Sequence, residues 1–266
     1  FRLVGAAIRT VPVGPNGTLA QDVLQAIEAR KPILTYLIPS FHNPTGTVMD
    51  EFERRRLARR LQDHPTLVIE DESLVELPLD GVEVPKPIAA HLDGVLTVGS
   101  ASKPYWGGLR IGWVRGPADL IRRLTHYKTV FDLASPVTTQ AVVARLLEGS
   151  APLLVDRRRQ LGAQLDALIT SLEALLPEWQ WAPPQGGLSI WASLPWGSAS
   201  EFAQVAMRNG LAVVAGPFFD PHSQHDRHLR LPFVLPPVTI RRGVERMARA
   251  WEQYTGRPGV AAHRPA

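Results

Sequence analysis

The sequence contains no cysteine. That absence excludes disulfides, thiolate catalysis and cysteine-ligated metal sites, and it fits a reducing compartment. No apolar run is long enough to cross a bilayer. Residues 1–10 lack the charged-then-apolar pattern of a secretory signal, so a cytoplasmic location is expected. Strong charge of one sign is missing too: 29 Lys and Arg against 25 Asp and Glu leave a net +4, too scattered to mark a nucleic-acid surface. Arg54, Arg55, Arg56, Arg59 and Arg60 fall on one expected helix, and Arg157, Arg158 and Arg159 on another. With no aromatic residues interleaved, both clusters read as solvated helix faces. What remains is an ordinary globular composition, 45% hydrophobic over 266 residues, enough for one large domain or two smaller ones.

In the first half, short apolar runs alternate with helical patterns. Residues 34–38, 67–70, 95–98 and 111–115 read as buried strands, rich in β-branched residues and bounded by polar or Gly/Pro punctuation. Residues 50–63 read as a helix between the first two, with Asp50 as N-cap and Glu53 three residues on. This rhythm predicts a mostly parallel α/β sheet with crossover helices, whose ligand sits at the carboxyl ends of the strands. The second half predicts a long amphipathic helix over 151–176 and strands at 188–194, 211–215 and 229–233. Helices are expected over 201–209 and 238–254. The division expected is a large domain over 1–155 and a smaller α+β domain over 156–266, with a loose tail from 255. Residues 1–5 read as a helix end and 7–13 as a strand, a start inside an element that implies missing upstream sequence.

Three strand-end loops carry the polar groups. The first is Ser40-Phe41-His42-Asn43-Pro44-Thr45-Gly46; alone it is a tight turn, but Asn43 could also donate its amide hydrogens to a ligand. The second is Glu70-Asp71-Glu72-Ser73, where Asp71 could cap, pair with an arginine, or face a cation such as a protonated ring nitrogen. The third runs from Ser100 through Ser102 and Lys103 to Arg110. A partly desolvated lysine there would be a usable amine nucleophile. Hydroxyls and a guanidinium beside it suit a phosphate. An amide, a carboxylate, a lysine, hydroxyls and an arginine together match the partners of pyridoxal phosphate.

In this order, the three motifs and Leu229-Arg230-Leu231-Pro232-Phe233 resemble the fold-type I pyridoxal-phosphate-dependent aminotransferases of class I and II over nearly the whole chain. The resemblance implies the PLP-dependent transferase fold, with the front of the large domain missing. It implies a Schiff base at Lys103, Asp71 on the pyridine nitrogen and Asn43 on the phenolic oxygen. Ser100, Ser102 and Arg110 would face the phosphate, and Arg230 the substrate carboxylate. Pro184-Gln185-Gly186-Gly187-Leu188 looks like the family's glycine loop and is assigned no chemistry. Ser73 and Leu74 occupy positions where the family carries a tyrosine on the phenolic oxygen; Ser73 is a shorter stand-in, so transamination is expected to be slow or absent.

The motif wording is most similar to the MocR-type members of the GntR regulators. Those fuse a winged helix-turn-helix to an aminotransferase-like domain that senses a small amine or vitamin. DNA contact would then lie upstream of this chain. The alternative implied is a working aminotransferase, with Lys103 also moving the α-proton and Arg230 clamping the carboxylate. A third is a cofactor-free structural dimerisation domain. A homodimer is expected in every case, with no metal and no membrane partner.

Overall fold

The computed structural model describes residues 1–149 and 151–256. Its first sheet has the order β1 (Leu34–Leu37), β2 (Leu67–Asp71), β3 (Leu96–Ser100) and β4 (Gly112–Arg115). The first two pairings are parallel and the third antiparallel. Between β1 and β2 runs α2 (Glu51–Leu61), started where Asp50 accepts from the Glu53 amide at 2.8 Å. Glu51 and Glu53 in its first turn, and Arg59 and Arg60 in its last, complement the helix dipole.

Side chains alternate along a strand, so the sheet has two different faces. One is closed. Leu37 and Val68 pack there with Val23 and Ile27 of α1 (Ala20–Arg30) and Leu57 and Leu61 of α2. Glu70 shares this face and is wholly buried, yet it accepts from the amides of Ile88 (2.6 Å) and Ala89 (3.3 Å) and from the Thr97 hydroxyl (2.7 Å). Those three donors offset the cost of burying a carboxylate. The other face is open: Tyr36, Ile69, Asp71, Val98 and Ser100 are all at least partly exposed.

The second sheet is antiparallel throughout, in the order β5 (Gln180–Trp181), β6 (Ser189–Ser193), β8 (His228–Pro232) and β7 (Val214–Ala215). It packs with α5 (Ala151–Leu175), α6 (Ala199–Arg208) and α7 (Pro237–Thr255). Ser198 caps α6 by accepting from the Glu201 amide at 3.1 Å. Ile240, Val244, Met247 and Trp251 line the buried stripe of α7 at steps of four, three and four. This core also takes Phe41, Val48, Leu74 and Leu77 from the loops of the first half. The two halves are therefore joined by packing. Between them lie α3 (Ala118–Asp132) and α4 (Val137–Gly149), and residue 155 falls inside α5.

Several expectations need correction. Residues 7–13 form no strand; Pro12 lacks an amide donor, and the nearest pairing is an isolated bridge between Gly14 and Gly17. Residues 1–5 hold only a 3-10 turn, Arg2–Val4. The strand expected over 211–215 contracts to Val214–Ala215, an edge pairing with β8 that ends before Pro217. Helix α7 continues to Thr255 and ends on left-handed Gly256; the tail from 257 lies outside the described residues. Among the described residues, no helix is long and apolar enough to cross a membrane.

Candidate functional site

The loops that follow β1, β2 and β3 leave the sheet at its carboxyl edge, where parallel sheets place their ligands. The first is tightly built. The His42 amide donates to the Thr47 carbonyl (2.8 Å) and the Gly46 amide to the His42 carbonyl (2.6 Å). The side chains of His42, Thr45 and Thr47 form a chain at 3.0 and 2.8 Å. Burial lowers the pKa of His42 to about 4, so the ring is neutral. Gly46 has φ +72, and a Cβ there would lie 2.5 Å from the Pro184 side chain. Only glycine fits, because the 184–187 loop is pressed against it. That loop, assigned no chemistry from the sequence, is a clamp. The Gln185 amide donates to the Gly46 carbonyl at 2.9 Å, and Gln185 Oε1 accepts from the Val48 amide at 2.9 Å.

Beneath the loop lies a residue that sequence reasoning misplaced. Arg54 does not share a solvated face with Arg55 and Arg56: it is wholly buried. Its guanidinium donates to the carbonyls of Met49 (2.7 Å), Pro39 (2.9 Å) and Lys86 (3.2 Å), to the Ser40 hydroxyl (2.9 Å) and to Glu72 (3.3 Å). The signal was in the periodicity, since 54, 57, 58 and 61 share one helical face. One side chain thus ties the Asn43 loop to the Asp71 loop. Burial raises the Glu72 carboxyl to about 7, against the pull of the Ser40 hydroxyl and the Arg54 guanidinium.

Asp71 ends β2 on the open face. Its Oδ1 accepts from the Ser73 amide at 2.9 Å and its Oδ2 from the Tyr36 hydroxyl at 2.5 Å. Ser73 therefore meets Asp71 through its backbone. Tyr36 was not among the residues singled out by sequence. Ser100 lies on the same face, and its hydroxyl accepts from the Ser102 amide at 3.2 Å. Lys103 and Arg110 stand in the connection from β3 to β4, Arg110 in a left-handed conformation with φ 50. Both side chains are exposed, so the partial desolvation expected of Lys103 is not met: Ala101 and Leu109 of the turn pack against Val143 of α4, and the charged groups point away from that cluster into solvent.

Arg230 comes to the same place from β8. Its Nη1 donates to Asn43 Oδ1 at 3.3 Å across 187 residues of sequence. Its Cζ lies 5.1 Å from the centre of the Phe219 ring. Burial lowers the proton affinity of the guanidinium, and Nε is buried without a partner. An anionic ligand would relieve both conditions. Asn43 Oδ1 is engaged, which leaves its amide hydrogens as the donating end.

Comparison with known proteins places this chain among relatives. The family model described as aminotransferase class I and II matches residues 1–247. An aromatic-amino-acid aminotransferase of Thermococcus litoralis is 32% identical, covering 88% of this chain and 58% of that protein. The HTH-type transcriptional regulator YisV of Bacillus subtilis is 31% identical, covering 86% of this chain and 48% of that protein. The chain thus spans about half to three fifths of the length of these relatives. Among solved structures, LysN superposes with a TM-score of 0.88 at 31% identity, covering 96% of this chain and 68% of that one. LysN is an α-aminoadipate aminotransferase from Thermus thermophilus, solved with N-(5'-phosphopyridoxyl)-L-leucine.

Proposed function

The chain belongs to the class I and II aminotransferases, and from that premise we propose that it is a pyridoxal-phosphate-binding domain that senses a small amine or amino acid for a transcription regulator. The observation that carries cofactor binding is the carboxyl edge of the first sheet. It gathers a carboxylate fixed at both oxygens, Asp71, and a guanidinium with an orphaned Nε, Arg230. The donor set fits the group. Asp71 would face the ring nitrogen, and Asn43, with Ser73 nearby, the ring oxygen. Ser100, Ser102 and Arg110 would hold the phosphate, Lys103 would be the covalent partner, and Arg230 would take the ligand carboxylate. When bound, pyridoxal phosphate supplies an electron sink for amine chemistry. Residues 1–155 are read as the cofactor domain and 156–266 as the smaller domain, working as a homodimer.

Two facts favour sensing: regulators stand among the relatives, and Ser73 and Leu74 replace the expected tyrosine. DNA contact belongs, in this reading, to a separate helix-turn-helix segment. A second reading, a working aminotransferase, draws support from Arg230 beside Asn43: Arg230 would orient an amino acid and Lys103 would move its α-proton.

The test uses full-length protein, pyridoxal phosphate and borohydride. A reduced link located by mass spectrometry at Lys103 is expected; a link at another lysine, or none, sinks the reading. A panel of amino acids with 2-oxoglutarate then separates the two functions. Sensing predicts no steady turnover and a ligand-dependent change in DNA affinity. Sustained conversion without any such change would favour the enzyme.

A further inference from the structure

Asp71 is held by a residue that no motif marks. Tyr36 lies opposite Ile69 in the parallel register of β1 and β2, and Asp71 is two residues beyond Ile69. Both side chains therefore leave the same face as diagonal neighbours, a separation that a tyrosine can span. Tyr36 holds Asp71 Oδ2 at 2.5 Å while the Ser73 amide holds Oδ1 at 2.9 Å. An ionised carboxylate offers about four lone-pair sites, so each oxygen keeps capacity for one more donor. Partial burial, then the hydrogen bond and charge of Asp71, raise the pKa of the Tyr36 phenol; it stays an O–H donor at neutral pH. The Phe1 ring meets the Tyr36 ring edge-on, with centroids 6.1 Å apart.

Resting on the cofactor reading above, we propose that Tyr36 is a positioning residue that, with the Ser73 amide, fixes the plane of the Asp71 carboxylate toward a cationic ring nitrogen. A carboxylate held at one oxygen alone can turn about its Cβ–Cγ bond. A second donor removes that freedom before the ligand arrives, which lowers the entropic cost of binding. Tyr36 touches neither ligand nor reacting atoms and acts through Asp71.

The experiment loads full-length protein with pyridoxal phosphate and measures affinity and absorption spectrum for four forms. These are wild type, Tyr36→Phe, Asp71→Asn and the double variant. Tyr36→Phe keeps the ring against Phe1 and removes one oxygen atom. It should weaken cofactor binding roughly 3- to 10-fold, the worth of one hydrogen bond, and change the balance of the bound cofactor's absorption bands. Neither change should appear when Asp71 is already Asn. Equal losses in both backgrounds, or a wild-type affinity and spectrum in Tyr36→Phe, overturn the proposal. If the wild-type protein takes up no cofactor, the reading beneath the proposal fails first and the proposal with it; that result is seen before any variant is compared.

Discussion

The two faces of the first sheet are built from the same strands and do opposite work. Successive acids show it: Glu70 points into the closed face, Asp71 out of the open one, and Glu72 in again. Glu70 is sealed by two amides and a hydroxyl, and Glu72 meets the buried Arg54. Asp71 is the one of the three that keeps acceptor capacity on a face a ligand can reach. On the closed face, packing engages both oxygens of Glu70. On the open face, polarity is left over, and that residue of unspent hydrogen bonding is what a site is made from.

The comparison breaks most forcefully at Arg54. Arg54→Met would leave Glu72 buried beside carbonyls that have lost their donor, costing about 3–5 kcal/mol. The urea midpoint should fall accordingly, and cofactor uptake should fall with it, because the Asn43 and Asp71 loops lose their common anchor. A midpoint unchanged from wild type would refute the anchoring role.

Next, the faces should differ in tolerance. Leu57 is wholly buried on the closed side, so Leu57→Ala should cost about 2–5 kcal/mol. Val114 pairs with Val98 on the open side and is 44% exposed, so Val114→Ala should stay within about 0.5 kcal/mol in this chain. Similar losses at both positions would erase the distinction.

The finest test is pH. The unfolded chain protonates His42 below its ordinary 6.5, while the fold resists until about 4, so this group costs stability as pH falls through that window. The unfolded chain ionises Glu72 above its ordinary 4.5, while the fold resists until about 7, so this group costs stability as pH rises. The two oppose each other and flatten the wild-type profile. His42→Gln should leave a decline with rising pH, and Glu72→Gln a rise, each on the order of 2 kcal/mol across its window. Thermal melting at stepped pH values distinguishes the slopes; parallel profiles in both variants would exclude the assignment.

Much of this architecture could be read directly from the chain. β-branched runs between turn residues located the strands of the first sheet, and Asp50 with Glu53 located the start of α2. The ordered motifs at Asn43, Asp71 and Lys103 pointed to one edge of one sheet, because sequence order and strand period are local properties. What stayed hidden was every pairing between distant segments. Arg54 sat in a run of arginines whose charge outweighed its helical phase. Tyr36 met Asp71 only through the register of two strands, and Arg230 met Asn43 only when the second sheet packed against the first loop. The sequence by itself determined which groups were available and in what order. The tertiary structure decided which of them were consumed by packing and which were left facing outward, since a hydrogen bond between residues 187 apart depends on where both backbones come to rest.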